Sequence, residues 1–546
     1  MHSFWRQLAA PYLAVLAACG SVTLLAQTPR PPETAPAWLT GTTCYEIFVR
    51  SFQDSDGDGI GDLRGLIRRL DYLNDGDPRT TDDLGVRCLW LMPIAESPGY
   101  HGYDVQDYYA VERDYGTTAD VRELVREARR RGIRVLVDMV INHTSREHPA
   151  FQAALRDTTS PYRRWYRFAP TRGPDNRWGG NGWHKSPVRD EWYYGFFWQG
   201  MPDLNYEQPD ALAEMQRVAT YWLTDIGVDG LRLDAVKFLV EDGAQVDDVP
   251  GTHRVLTAYG THVRTVKPDA WTVGEVFDNS ASVARYYGSQ LDAYFAFEVA
   301  DSLIAAAARG TAGGVLRSVI DLQGRVPWHR MAPFLRNHDQ PRTATALGED
   351  LGKARVAAGL LLTLPGVPFV YYGEELGARG PKPDEDIRTP MPWSTSGPHA
   401  GFSTGTPWRP LQRDSLRANV AVQQRDPTSL LALYRRLIRA RGASAALAQG
   451  ALHPLVAEDS ALVTYARVHS GDQVLVLVNL GASPTRVSRL RGGDALRAGR
   501  YRVRSLADAG GPRTLRVRAD GDLSADGGPL ELRPFAVQVL QLIPLP

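Results

Sequence analysis

Eight short apolar runs punctuate this chain, at 44–50, 88–94, 134–140, 230–236, 271–277, 291–297, 331–337 and 366–372. Each is rich in aliphatic and aromatic residues throughout, without strict alternation, which is the pattern of strands buried on both faces. Longer stretches of helical period lie between them, such as 63–74, 119–131, 209–225 and 351–362. Doubly buried strands alternating with helices predict an α/β fold, a closed parallel (β/α)8 TIM barrel. A doubly wound open sheet would carry a Gly-rich phosphate loop after its first strand, and none stands here.

The chain is longer than a barrel needs. Its 546 residues leave room for additions to a barrel of roughly 250–400 residues. One connection is out of proportion: residues 142–205, rich in Trp, Gly, Asn and Pro, read as a domain inserted after the third strand. The barrel then occupies 37–141 and 206–452. Beyond a helical stretch near 430–441 the period changes. Runs at 461–468, 473–480, 501–506 and 536–543 predict a C-terminal antiparallel β-sandwich over 453–546, with no group of acids or histidines to carry chemistry.

The amino terminus reads as an export signal. Arg6 precedes an almost uncharged stretch that ends in small residues near Ala26. Leu16-Ala17-Ala18-Cys19-Gly20 has the form of a lipoprotein processing box, so an acyl anchor at Cys19 and plain cleavage near Ala26 are both open. Pro11, Gly20 and the shortness of the run argue against a transmembrane span. Residues 27–36 form a Pro-rich linker. A periplasmic or extracellular location is expected. Cys44 and Cys88 are expected as buried thiols, since a chain of this size needs no disulfide staple.

Charge narrows the partners. Lys+Arg and Asp+Glu both total 62, and no basic stripe is visible, which excludes nucleic acid as an expected partner. A neutral polymer is compatible with that balance. The 13 Trp and 23 Tyr supply flat rings of the kind that stack on sugar faces, although most pack the core. A monomer is expected.

In a parallel barrel the carboxyl ends of the strands converge on one face. Asp138, Asp234 and Glu275 fall at the ends of the third, fourth and fifth runs, and Asp339 just after the seventh. One such acid is commonly a cap or an ion-pair partner. Four on one barrel repel one another, so their pKa values must separate, and an acid and a base arise from one residue type. Glycoside hydrolysis uses that arrangement: one carboxylate attacks the anomeric carbon while a protonated carboxyl serves the leaving oxygen. Arg232, two residues before Asp234, shares its face of the strand and can hold it ionised. His143 and His338 are suited to sugar hydroxyls.

These segments carry a resemblance. DMVINH at 138–143, GLRLDAV at 230–236, GEV at 274–276 and RNHD at 336–339 resemble, in order, the four motifs of the alpha-amylase family of glycoside hydrolases; MPDLN at 201–205 resembles an additional one. The resemblance runs from about residue 44 to 393. It implies Asp234 as nucleophile, Glu275 as general acid/base and Asp339 as the acid gripping the distorted sugar. It places Tyr103, Asp104, His143, Arg232, His338, Lys237 and Arg388 around the substrate, an α-glucan or malto-oligosaccharide. Five tryptophans of the insertion (Trp165, Trp178, Trp183, Trp192, Trp198) would suit an extended groove. An Asp104–Arg388 ion pair would instead wall the groove into a pocket, for exo-action or for a trehalose-forming transglycosylase. A catalytically dead binding subunit is a third reading, opposed by the intact acids.

Asp54, Asp56, Asp58 and Asp62 stand at near-regular spacing around glycines, a pattern that folds oxygens around a hard cation. It is no EF-hand, since Gly65 stands where the closing Glu belongs. The resemblance implies Ca2+ held by these acids and the Ile60 carbonyl. A second family calcium site would use Asn142 and Asp203, but Phe238 stands where many amylases carry His.

Overall fold

The computed structural model describes residues 34–508, 511–526 and 528–546; the proposed export signal, Cys19 and most of the linker lie outside the described residues. Every one of the eight apolar runs contains a barrel strand. In chain order the strands are Cys44–Ile47, Cys88–Leu91, Arg134–Met139, Gly230–Leu233, Trp271–Gly274, Ala293–Phe295, Met331–Ala332 and Phe369–Tyr371. Consecutive strands pair in parallel from the first to the seventh, and the eighth pairs with the first, with Phe369 opposite Cys44. Val367 N donates to Met331 O (2.8 Å) and Phe369 N to Pro333 O (2.9 Å), which closes the ring between the seventh and eighth strands. Trp90, Leu136, Trp271, Val273, Phe295 and Phe369 fill the interior, so the barrel is a packed core with its chemistry confined to one mouth.

Several strands stop short of their apolar runs. The seventh is the shortest because Pro333 has no N–H to give the ladder. Past the strand ends the chain leaves the sheet and turns over the mouth with most residues still buried and Phe277 exposed, so apolarity outruns pairing there.

The helices follow from ordinary end chemistry. Thr117 and Asp120 form a capping box on Thr118–Arg130. Asp350 accepts from Gly352 N and Lys353 N at the start of Leu351–Thr363. The expected helix 63–74 breaks at Arg69 into Leu63–Arg68 and Leu70–Leu73. Helix Pro209–Thr220 runs on into a wider π turn, Tyr221–Ile226, and stops at Gly227, whose φ of 94° suits glycine.

The segment after the third strand folds as helix Pro149–Arg156 and a small antiparallel sheet of Phe168–Ala169, Trp192–Tyr194 and Trp183–Lys185. Phe151, Tyr166, Phe168 and Tyr193 pack its centre. Its two ends meet at one neck, where Leu204 N donates to Asn142 O (2.9 Å) and Thr144 N to Pro202 O (3.1 Å). After helix Leu430–Ala443 a seven-stranded antiparallel sheet and the ribbon Thr485–Val487/Leu530–Leu532 enclose a separate core around Leu475, Leu515 and Leu540. Among the described residues no helix is long and apolar enough to cross a membrane.

The cysteine expectation is corrected. Cys44 and Cys88 face each other in register on the first two strands, 4.3 Å apart at Cα, and form a disulfide. Chain size argued for thiols, but register, which spacing along the chain does not show, sets the two side by side.

Candidate active site

The site is organised by one fully buried guanidinium. Arg232, on the fourth strand, donates from Nη1 to both oxygens of Asp138 (2.9 and 3.0 Å) and to Asp234 Oδ1 (2.7 Å). Its Nη2 donates to Glu275 Oε2 (2.7 Å). Three strand-end acids therefore meet on one planar fork. Ala235 N also donates to Glu275 (3.2 Å), and Trp90 Nε1 to Asp138 (3.1 Å).

A second chain of contacts orders the far wall. His338 Nδ1 lies 2.6 Å from Glu46 Oε1, and its Nε2 lies 2.6 Å from Tyr103 Oη and 3.2 Å from Asp339 Oδ2. The Tyr103 ring stacks on His338, and its hydroxyl donates to Asp138 (3.1 Å). Arg388 Nη2 donates to Asp339 Oδ1 (3.0 Å) and Asp384 Oδ2 (3.2 Å). His143 Nε2 is 3.1 Å from the Tyr103 carbonyl.

These surroundings drive the acids apart. Burial raises Glu275 to about 7 and Asp234 to about 6; Arg232 opposes both shifts, and neighbouring carboxylates reinforce them. Burial would raise Asp339 too, but His338 and Arg388 outweigh it and hold that acid well below the usual range. His338 is lowered by burial and raised more strongly by Asp339 and Glu46, to about 10, so it is an imidazolium. Burial lowers His143 to about 4 and leaves it neutral. The mouth thus holds one carboxyl able to carry a proton near neutrality beside another that gives its proton up sooner.

The cleft over these groups measures about 730 Å³. Asp234, Glu275, Asp339, Tyr103, His143, Lys237 and Arg388 all line it, and Trp178, Phe197, Trp198 and Phe277 give it an exposed aromatic rim. Lys237 Nζ donates to Phe277 O (3.2 Å) and Asp278 (3.3 Å) beneath the Trp178 ring. The expected Asp104–Arg388 pair is absent. Arg388 is taken by Asp339 and Asp384, while Asp104 accepts from Ser97 Oγ (2.7 Å) and lies 3.7 Å from His101. Two acids nearer the guanidinium outcompete a third that is already hydrogen-bonded. Sequence reasoning passed over Glu46, which positions His338, although its place on the first strand was the same signal that marked the other acids. It also passed over His101, on a loop, and Asp384, which opens the one-turn helix Asp384–Ile387; neither stretch carries a period.

In the loop before the first helix, carboxylate oxygens of Asp54, Asp56 and Asp58 come within 4.8 Å of one another. Ile60 N donates to Asp58 Oδ1 (2.7 Å), which folds its backbone into the same turn. Gly59 is required there: its φ is +93°, and a Cβ would sit 1.9 Å from the Thr406 carbonyl. Burial, then Asp56 and Asp54, raise the Asp58 carboxyl. Asp62 stands apart from this trio. It accepts from Gly65 N (2.8 Å) and Ser55 N (2.6 Å), so the free amides of helix Leu63–Arg68 have claimed it as a cap. At the neck of the insertion, Asn142 Oδ1 and Asp203 Oδ2 are buried with no hydrogen bond from the described residues. Burial and Glu241 push Asp203 well up.

A closed parallel barrel that gathers carboxyls of separated pKa on one arginine, in an aromatic-rimmed cleft, has the architecture of a glycoside-hydrolysing barrel enzyme. The family model described as "Alpha amylase, catalytic domain" matches residues 46–450. The chain is 36% identical over 451 residues to "Alpha-amylase 3" of Dictyoglomus thermophilum, covering 81% of this chain and 85% of that protein. It is 33% identical to "Trehalose-6-phosphate hydrolase" of Escherichia coli, covering 84% and 94%. The solved structure of the alpha-amylase from H. orenii superposes with a TM-score of 0.80 at 40% identity, covering 92% of this chain and 99% of that one. The chain belongs to the alpha-amylase family and is an O-glycosyl hydrolase.

Proposed function

We propose that this enzyme cleaves α-1,4-glucosidic bonds in starch, maltodextrins or related α-glucans by double displacement with retention. The observation that carries the reading is the Arg232 fork, which holds Asp234 and Glu275 at 2.7 Å from its two terminal nitrogens. Retention calls for carboxyls about 5–5.5 Å apart, and a shared guanidinium enforces such proximity. Asp234, ionised, attacks the anomeric carbon as the glycosidic C–O bond breaks and Glu275 gives its proton to the departing oxygen. Water then attacks the glycosyl–Asp234 ester, Glu275 takes the proton, and Asp234 leaves as carboxylate. Asp339, kept ionised by His338 and Arg388, accepts from hydroxyls of the distorted ring, while Tyr103 stacks on it and His143 binds a hydroxyl. Fresh product carries the α configuration by NMR; β-anomer at first appearance ends the proposal.

Endo-action is favoured by the aromatic-rimmed cleft and the 36–40% identity to proteins named alpha-amylases. A second reading, exo-hydrolysis or transglycosylation, draws on Arg388 and Asp384 in the cleft wall and on the similarity to a trehalose-6-phosphate hydrolase. Mixed oligosaccharides early in soluble-starch digestion support the first; glucose alone, or trehalose from maltose, supports the second. Asp54, Asp56 and Asp58 with the Ile60 carbonyl fit a hard cation, and Ca2+ there would tie the loop together. Asn142 and Asp203, with their orphaned buried oxygens, fit a second Ca2+, which elemental analysis would count. Export as a monomer through the 1–26 signal completes the reading, with Cys19 acylation tested by metabolic lipid labelling.

A further inference from the structure

The chain is neutral overall, yet residues 486–533 of the C-terminal sandwich hold eleven arginines against six acids. Strand register gathers part of that excess on one surface. Arg500, Arg502 and Arg504 alternate along strand Gly499–Ser505, so their side chains leave the sheet on one face, while Tyr501 between them enters the sandwich core. On the next strand, Thr514–Val517, Arg516 stands directly opposite Arg500, with Leu515 and Val517 turned to the core. All four arginines are exposed. Successive arginines of the first strand lie about 7 Å apart along it, and the neighbouring strand sets Arg516 about 5 Å to the side.

Like charges directly opposite across two strands destabilise a sheet, and Arg500 and Arg516 are held in that position. Asp526 answers Arg500 (2.8 Å), and Arg504 donates to the neutral side chain of Gln541 (2.6 Å). Among the described residues Arg502 and Arg516 have no ion pair. Farther along, the same face is apolar. Val537 and Val539 of strand Val537–Pro544 lie on it and are buried in the barrel's core, Val537 against Gly359 of helix Leu351–Thr363. The face therefore changes from valine to arginine where it runs out from under the barrel, and the barrel stands beside the row.

A row of cations in such a corner suits a chain better than a plane, since a flat bilayer meets the barrel first. Thr514, Ser524, Gln541 and Ile543 complete the face among the described residues, with no ring on which a nucleic-acid base would stack. The Cys44–Cys88 disulfide belongs to an oxidising compartment, which sets the partner outside the cytoplasm. We propose that the Arg500–Arg502–Arg504–Arg516 row is a docking surface for a linear polyanion of the cell exterior that carries one phosphodiester per repeating unit. Each guanidinium offers parallel N–H groups that match two phosphate oxygens. Charges repeating along the polymer meet charges repeating along the strand, and their pairing releases counterions. None of the four arginines lines the catalytic cleft, so docking leaves it open.

The test uses the full chain carrying Cys19→Ser, so that no acyl group contributes, and poly(glycerol phosphate) as the probe in titration calorimetry. The parent should bind, and its affinity should fall at least tenfold between about 50 and 200 mM salt. Arg502→Ser/Arg516→Ser should bind about tenfold more weakly with a shallower salt slope, while its melting temperature and its kcat on maltodextrin stay at parental values. Arg486→Ser, which removes an exposed arginine already paired with Glu531, should bind like the parent. Equal affinity in the parent and the folded double variant overturns the docking surface. So does a parent that fails to bind or shows no salt dependence, a result that needs no variant to fold. Tighter binding to phosphatidylglycerol vesicles or to polygalacturonate than to the phosphate polymer overturns the phosphodiester partner.

Discussion

Two clusters of aspartate and glutamate in this molecule share a residue type and little else. At the barrel mouth Asp138 and Asp234 are buried, Glu275 is half-buried and Asp339 opens onto the cleft, and each faces a fixed cation: Arg232 for Asp138, Asp234 and Glu275, and His338 with Arg388 for Asp339. In the loop at 54–58 Asp54 is buried and Asp56 and Asp58 are exposed, and their oxygens meet backbone amides and Ser403 rather than cations. Burial with built-in counter-charge separates pKa values and makes an acid and a nucleophile. Acids converging without a counter-charge leave room for an ion from outside. Cation supply, more than acid count, separates a reacting site from a binding one.

Neutralising one acid in each cluster should expose that contrast most strongly. Asp234→Asn or Glu275→Gln is expected to lower kcat by about 10³-fold or more with the fold intact, measured by steady-state kinetics on maltodextrin. Asp56→Asn should leave kcat within severalfold of wild type. Comparable losses at both places would break the comparison.

The pH profile is a smaller effect that sharpens it. Asp234 must be ionised, so kcat/KM is lost as pH falls through about 6; Glu275 must be protonated, so it is lost as pH rises through about 7. The limbs belong to the coupled cluster, and a narrow bell is expected between them. A flat profile from pH 5 to 9 would contradict the environments described for these carboxyls.

The smallest effect concerns stability. EDTA should lower the melting temperature by roughly 2–4 °C, through loss of a ligand bound only to the folded state. In Asp56→Asn/Asp58→Asn that response should vanish. An equal response in the double variant would point to the Asn142–Asp203 pair instead.

Much of the architecture was legible because burial on both faces of a strand writes itself as an unbroken apolar run, and eight such runs separated by helices have few closed arrangements. The acids were legible for the same reason, standing at the ends of those runs. Other features had no such signature. Asp62 carries the loop's spacing yet caps a helix, because the amides at the helix start are nearer than the other acids. Arg388 was expected to meet Asp104 and met Asp339 and Asp384, since its loop's path sets which carboxylate it reaches. Glu46 stands on the first strand with nothing local to mark its partner, and His338 reaches it from the segment after the seventh strand.

What the sequence by itself determined was the number, order and burial of the strands and the residue types waiting at their ends, because hydrophobic period and local end chemistry are properties of short segments. Partnership was decided only by the tertiary structure: the Cys44–Cys88 bond, the grip of Arg232 on Asp138, Asp234 and Glu275, and the contacts of His338 with Glu46, Tyr103 and Asp339. Contacts between groups far apart in the chain depend on strand register and loop path, which the packing of the whole barrel sets and no local segment contains.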